Sequence, residues 1–166
     1  MINTTSRAAI SALLLMSAFG ASAKPATNQP VEINGVFQEQ IGQSSRCPSQ
    51  MGGTIAGYGD ATIAGRVAFI ATDCIMPAGP LFNFSEGRFI IVTTTGDQIF
   101  ANYSGQLVPT GDGAKYVFSG ATFQVTGGNG RYAKATGGGT LTGGEDLSTG
   151  AGTIKLSGQV SSEEKR

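Results

Sequence analysis

The feature that most constrains this chain is a period of two in its apolar residues, interrupted every ten or so residues by glycine turns. From Val31 to Ile41, the residues Val31, Ile33, Phe37 and Ile41 fall on one face, while Glu32, Asn34, Gln38 and Gln40 fall on the other. Alternation of this kind marks a half-buried strand, because successive side chains of a strand point to opposite sides. Ile63 to Ala71 repeats it, with Ile63, Val67 and Phe69 inward. Phe89 to Thr95 is rich in β-branched residues, and Ile99, Ala101, Tyr103 and Leu107 share a face in the next segment. Tyr116 to Val125, Gly139 to Thr142 and Thr153 to Val160 read the same way, with Ile154, Leu156 and Val160 inward. Short strands, tight turns and no helical periodicity predict an all-β domain of roughly eight strands, a sandwich or a barrel.

Glycine decides between those two. It occupies 26 of 166 positions, and Gly35, Gly65, Gly105, Gly120 and Gly158 fall inside predicted strands. Strand-interior glycine permits the coiling that closure needs, and closure removes the edges of a lightly charged sheet. An eight-stranded antiparallel β-barrel is therefore the expected fold. A glycine-rich calcium solenoid does not fit, because Tyr132 stands where the repeat after Gly130 requires aspartate.

The ends and the charges set the compartment. Residues 1–23 have the layout of a secretory signal peptide: one charge at Arg7, an apolar run from Ala8 to Ala18, and Ala21-Ser22-Ala23 as the cleavage site. That run is shorter than the ~20 residues of a membrane helix. The expected organisation is signal peptide 1–23, a lead over 24–30, the barrel over 31–160 and a flexible tail over 161–166, in a secreted or periplasmic protein. Loss of Arg7 leaves ten basic and eleven acidic residues without a basic cluster, which argues against nucleic acid as a partner. Cys47 and Cys74, an even pair in an oxidising compartment, are expected to form a disulfide. Two sulfurs without any histidine fall short of a zinc set, so no metal or cofactor is expected.

The segment Phe123 to Gly137, FQVTGGNGRYAKATG, resembles the GGTGRFAGATG signature of small secreted bacterial proteins with an allene oxide cyclase-like barrel, and the related GGTGKF-type turn of plant dirigent proteins. GDQIFANYSGQLVPT, from Gly96 to Thr110, is similar to the GDTLFGTYTG hairpin of those bacterial proteins. GDATIAGR, from Gly59 to Arg66, resembles their GTATHLGR strand, with Ile63-Ala64 in place of the frequent His-Leu. The resemblance implies an eight-stranded antiparallel barrel and a homo-oligomer, a trimer in the better-known members. It carries no activity to this chain. The plant members act on hydrophobic oxylipins or steer phenoxy-radical coupling. Read from its residues alone, the same segment is a glycine turn followed by one helical turn, Arg131 to Ala135, with Tyr132 and Ala135 capping an end of the barrel.

No histidine means no Ser-His-Asp or Cys-His arrangement and none of the commonest general base at neutral pH. Gly128-x-Gly130-x-x-Ala133 matches a dinucleotide fingerprint formally, but the glycines from Gly137 to Gly139 end any helix that would face a pyrophosphate. Three residues remain as ligand-lining candidates. Glu39 is in phase with Val31, Ile33 and Phe37, so an unbroken strand aims its carboxylate inward; a bulge near Gly35 would turn it to solvent. Tyr103 lies on the apolar face of its strand, where its hydroxyl either meets a ligand or finds one backbone partner. Tyr58 is a weaker case of the same kind. The expected function is an exported barrel that binds a small apolar ligand in its lumen. The alternatives are a cyclase or isomerase using Glu39 or Tyr103, and a structural envelope protein.

Overall fold

A computed structural model describes residues 27–162. The segment expected to be a signal peptide (1–23), the start of the lead and the last four residues of the expected tail lie outside them. Eight antiparallel strands follow one another around a closed barrel: β1 (Thr27–Gln43), β2 (Met51–Ala61), β3 (Gly65–Ala78), β4 (Leu81–Thr93), β5 (Gln98–Pro109), β6 (Lys115–Gly128), β7 (Gly137–Asp146) and β8 (Ala151–Ser162). β8 returns to pair with β1 from Thr27↔Ser162 to Gln38↔Ala151, which leaves no open edge. The alternation read from the sequence lines the interior. Val31, Ile33, Phe37, Val67, Phe69, Ile99, Ala101, Leu107, Ile154, Leu156 and Val160 are all in the buried core.

Several boundaries differ from the sequence-based expectation. β2 was not anticipated as a strand, because glycines occupy most of its inward positions. GDATIAGR is the end of β2, a turn and the start of β3 rather than one strand, so Ile63 lies half-buried in that turn. The part of the lead from Thr27 to Pro30 is already paired with β8, and Ser161, assigned to the tail, is buried within β8. Ile41 is 42% exposed: β1 leaves β8 after Gln38 and continues to Gln43 paired with β2 alone.

The two ends of the barrel are unlike. At one, the β6–β7 connection forms a single 3-10 turn, Gly130–Tyr132, that lays Tyr132 (1% exposed) and Ala135 across the opening. Gly130 begins that turn at φ 55°, a conformation costly to residues with a Cβ. At the other end, Cys47 in the β1–β2 connection is bonded to Cys74 on β3, their Cα atoms 5.2 Å apart. Closing 27 residues in this way contributes about 3.5 kcal/mol by restricting the unfolded chain. The disulfide is compatible with export. Among the described residues no helix is long and apolar enough to cross a membrane.

Aromatic rings fill the lumen where the glycines leave space. A Cβ on Gly57 would meet the Phe69 ring at 2.4 Å, and one on Gly152 would meet the Phe37 ring at 2.2 Å. The lumen in which a ligand was expected is consequently almost filled. Among the described residues the lumen keeps small gaps, one of about 10 Å³ among Val31, Ile91, Ile99 and Val160 toward the closed end and one of about 20 Å³ toward the disulfide end.

Candidate functional site

The larger gap is where polar side chains converge. Glu39 from β1, Asp73 from β3, Tyr103 from β5 and Glu145 from β7 line it, together with Phe37, Ile55, Phe84, Phe89, Phe118 and Leu141 among the apolar residues. Each polar residue enters by strand parity. Asp73 continues the inward row Val67, Phe69 and Ala71, and Glu145 lies four residues beyond inward Leu141. Even-numbered strands supply glycine or apolar residues at this level. β8, between β1 and β7, has Gly152 paired with both Phe37 and Glu145.

Two glycines make room. A Cβ on Gly53 would sit 1.8 Å from Glu39 Oε1 and 2.7 Å from Asp73 Oδ1, so only glycine lets the two carboxyls converge there. A Cβ on Gly87 would fall 2.5 Å from the Tyr103 ring. Gly87 belongs to a β4 bulge in which Glu86 has φ 51° and the register with β5 shifts between Phe84 and Gly87.

Asp73 is the best-partnered acid. The Tyr103 hydroxyl donates to its Oδ2 at 2.9 Å and the Gly53 N–H to its Oδ1 at 3.2 Å. Glu39 and Glu145 are 7% and 5% exposed, yet Glu39 Oε1 and both oxygens of Glu145 have no hydrogen-bond partner. Burial, then the neighbouring Glu145 and Asp73 carboxyls, push Glu39 up to about 10. Burial likewise raises Glu145 and Asp73, and for Asp73 it is opposed by Tyr103, Gly53 and Arg46. Burial and the adjacent Asp73 hold the Tyr103 hydroxyl well above its ordinary range. Glu39 is therefore a neutral carboxylic acid at neutral pH. A neutral acid in an apolar wall can donate a hydrogen bond or a proton.

Aromatic rings surround the acids. Phe37 stacks on Phe118 at 6.2 Å, Phe84 packs against Phe118 at 5.7 Å, and half-buried Phe82 and Tyr116 meet at 5.6 Å. The gap they share, about 20 Å³, is the size of one water molecule. A much larger depression, about 920 Å³, lies on the outer wall along Arg88, Asn102 and Gln124. It is open to solvent and none of the three buried acids lines it, whereas all three line the small gap.

Of the three candidates from the sequence, the fold brings Glu39 and Tyr103 into one site and excludes the third. Tyr58 is 60% exposed on the outer wall, between Val36 of β1 and Ala68 of β3, because inward parity on β2 belongs to Gly53, Ile55 and Gly57. Asp73, Glu145 and Gly53 were missed, although parity carried two or three residues further along their strands points to both acids. No family model, curated protein or solved structure matches the chain.

Proposed function

We propose that the protein is an exported barrel that takes up a small, largely apolar molecule at the disulfide end, with its polar group against Glu39, Asp73, Tyr103 and Glu145. One observation carries this reading. Three buried carboxyls, two of them with unpartnered oxygens, share one gap with a cluster of aromatic rings. Burying polar groups without partners costs stability, and such clusters of perturbed acids concentrate where a chain acts on a ligand. The water-sized gap sets the scale: only a polar head enters, and the carbon body rests among Phe37, Phe84 and Phe118. The strand number and the quoted motifs support kinship with the allene oxide cyclase-like barrels.

Native mass spectrometry of protein isolated from its own host tests the proposal. A bound mass is expected in the wild type and absent in Gly53→Leu, whose side chain fills the space between Glu39 and Asp73. A wild-type protein that carries no ligand and retains none of a panel of small apolar molecules would sink the reading. The neutral Glu39 favours a second reading, proton transfer to the bound molecule as in a cyclase or isomerase. Under it Glu39→Gln abolishes turnover, whereas pure binding survives the substitution.

We also infer self-association through the outer wall. Register places Tyr58, Ala68 and Val92 in one row and Ala56, Ile70, Ile90 and Phe100 in the next. Tyr58, Ile70 and Ile90 are exposed. An apolar patch of adjacent rows on a polar surface suits contact with another copy.

A further inference from the structure

The water-sized gap is rich in acceptors and poor in donors. β1 turns Glu39 toward it, β3 Asp73, β5 Tyr103 and β7 Glu145; β2, β4, β6 and β8 contribute only Gly53, Ile55, Phe84, Phe89, Phe118 and Ile154. Its donors are few: the Tyr103 hydroxyl and the Gly53 N–H, both taken by Asp73, and the one proton of neutral Glu39, which faces Glu145. The cation nearest Asp73, Arg46 in the β1–β2 connection, is tied to Glu86 instead. Its Nη1 donates to the Glu86 carbonyl at 3.1 Å and lies 3.7 Å from the carboxylate. Glu145, 5% exposed, therefore turns two oxygens without a geometric hydrogen-bond partner into a space where three carboxyls meet one carboxyl proton and no cation lines the wall. Among the described residues no three carboxyl or thiol groups are grouped to hold a metal ion.

A primary ammonium group answers that deficit. It is about the size of the water the gap admits, carries three donors and no acceptor, and is attracted to aromatic faces such as those of Phe37, Phe84 and Phe118.

We propose that this end of the barrel binds a primary amine with an apolar body, its ammonium head donating to Glu39 and Glu145 and its carbon body lying among the aromatic rings. The inference rests on the uptake reading above and adds the chemical class of the ligand. The head ionises the carboxyls it meets, so protons leave to solvent as the amine binds. Affinity therefore rises with pH for as long as the amine itself stays protonated.

Isothermal titration calorimetry with 3-phenylpropylamine and its neutral counterpart 3-phenylpropan-1-ol, at pH 6 and pH 8, tests this. The amine is expected to bind at least about tenfold more tightly than the alcohol at pH 8, and more weakly at pH 6. Runs in two buffers of different ionisation enthalpy are expected to reveal proton release with the amine only. Glu145→Gln is expected to remove the preference for the amine and keep the alcohol bound. The wild-type comparison decides the matter even if that variant does not fold. Equal binding of amine and alcohol overturns the amine assignment and leaves the uptake reading standing. No binding of either overturns both.

Discussion

Tyr103 and Asp73 are the pair on which the site's geometry turns. The Tyr103 ring packs 4.3 Å from Phe89 in the space vacated by Gly87, and its hydroxyl gives Asp73 its one side-chain hydrogen bond. Tyr103→Phe keeps the packing and strands a buried carboxyl. It is expected to lower stability by about 1–3 kcal/mol in urea unfolding. An unchanged unfolding free energy would show that the hydroxyl does nothing for the fold. At this scale the sequence was half legible. Glu39 and Tyr103 could be placed inward because apolar neighbours two residues away fix their parity. Asp73 and Glu145 could not, since the strands expected to end at Ala71 and Thr142 in fact continue to Ala78 and Asp146. Neither residue looks like core, so each reads as the polar end of a strand.

Strands declare themselves through the side chains they bury, which explains why β2 stayed hidden. Gly53, Gly57 and Gly59 hold most of its inward positions, and their space belongs to carboxyls, to Phe69 and to the β1 backbone. With only Ile55 and Ala61 as inward side chains, alternation fades and Tyr58 looks like the apolar member of the strand. Its true place is the outer wall, where register aligns it with Ala68 and sets Ile70 beside Ile90 one row below. If these rows meet another copy, Ile70→Lys should convert an oligomer to a monomer in sedimentation velocity without altering the circular dichroism spectrum. A wild-type protein that sediments as a monomer at tens of micromolar would remove the outer face from consideration.

Closure was the most legible property of the whole molecule, because the inward rows, strand-interior glycines and absence of helical periodicity all favour the same answer. The filled lumen was not legible, since inward glycine reads as empty space until the neighbouring aromatic ring is known. Closure also places three acids in one low-dielectric end, and this gives global stability a definite pH dependence. The unfolded chain releases the Glu39 proton above pH about 4.5, whereas the folded barrel holds it to about 10. Asp73 and Glu145 are raised in the same direction. Below the unfolded value both states are protonated and the full stability is present; above it stability declines as the pH climbs toward the folded value. Urea unfolding of the wild type and of Glu39→Gln at pH 5, 7 and 9 measures this directly. The wild type should lose stability steadily with rising pH, by up to about 1.4 kcal/mol per unit for each retained proton, and Glu39→Gln should flatten the slope. A wild-type stability that holds level or rises from pH 5 to 9 would contradict the buried carboxyl cluster on which the proposed site depends.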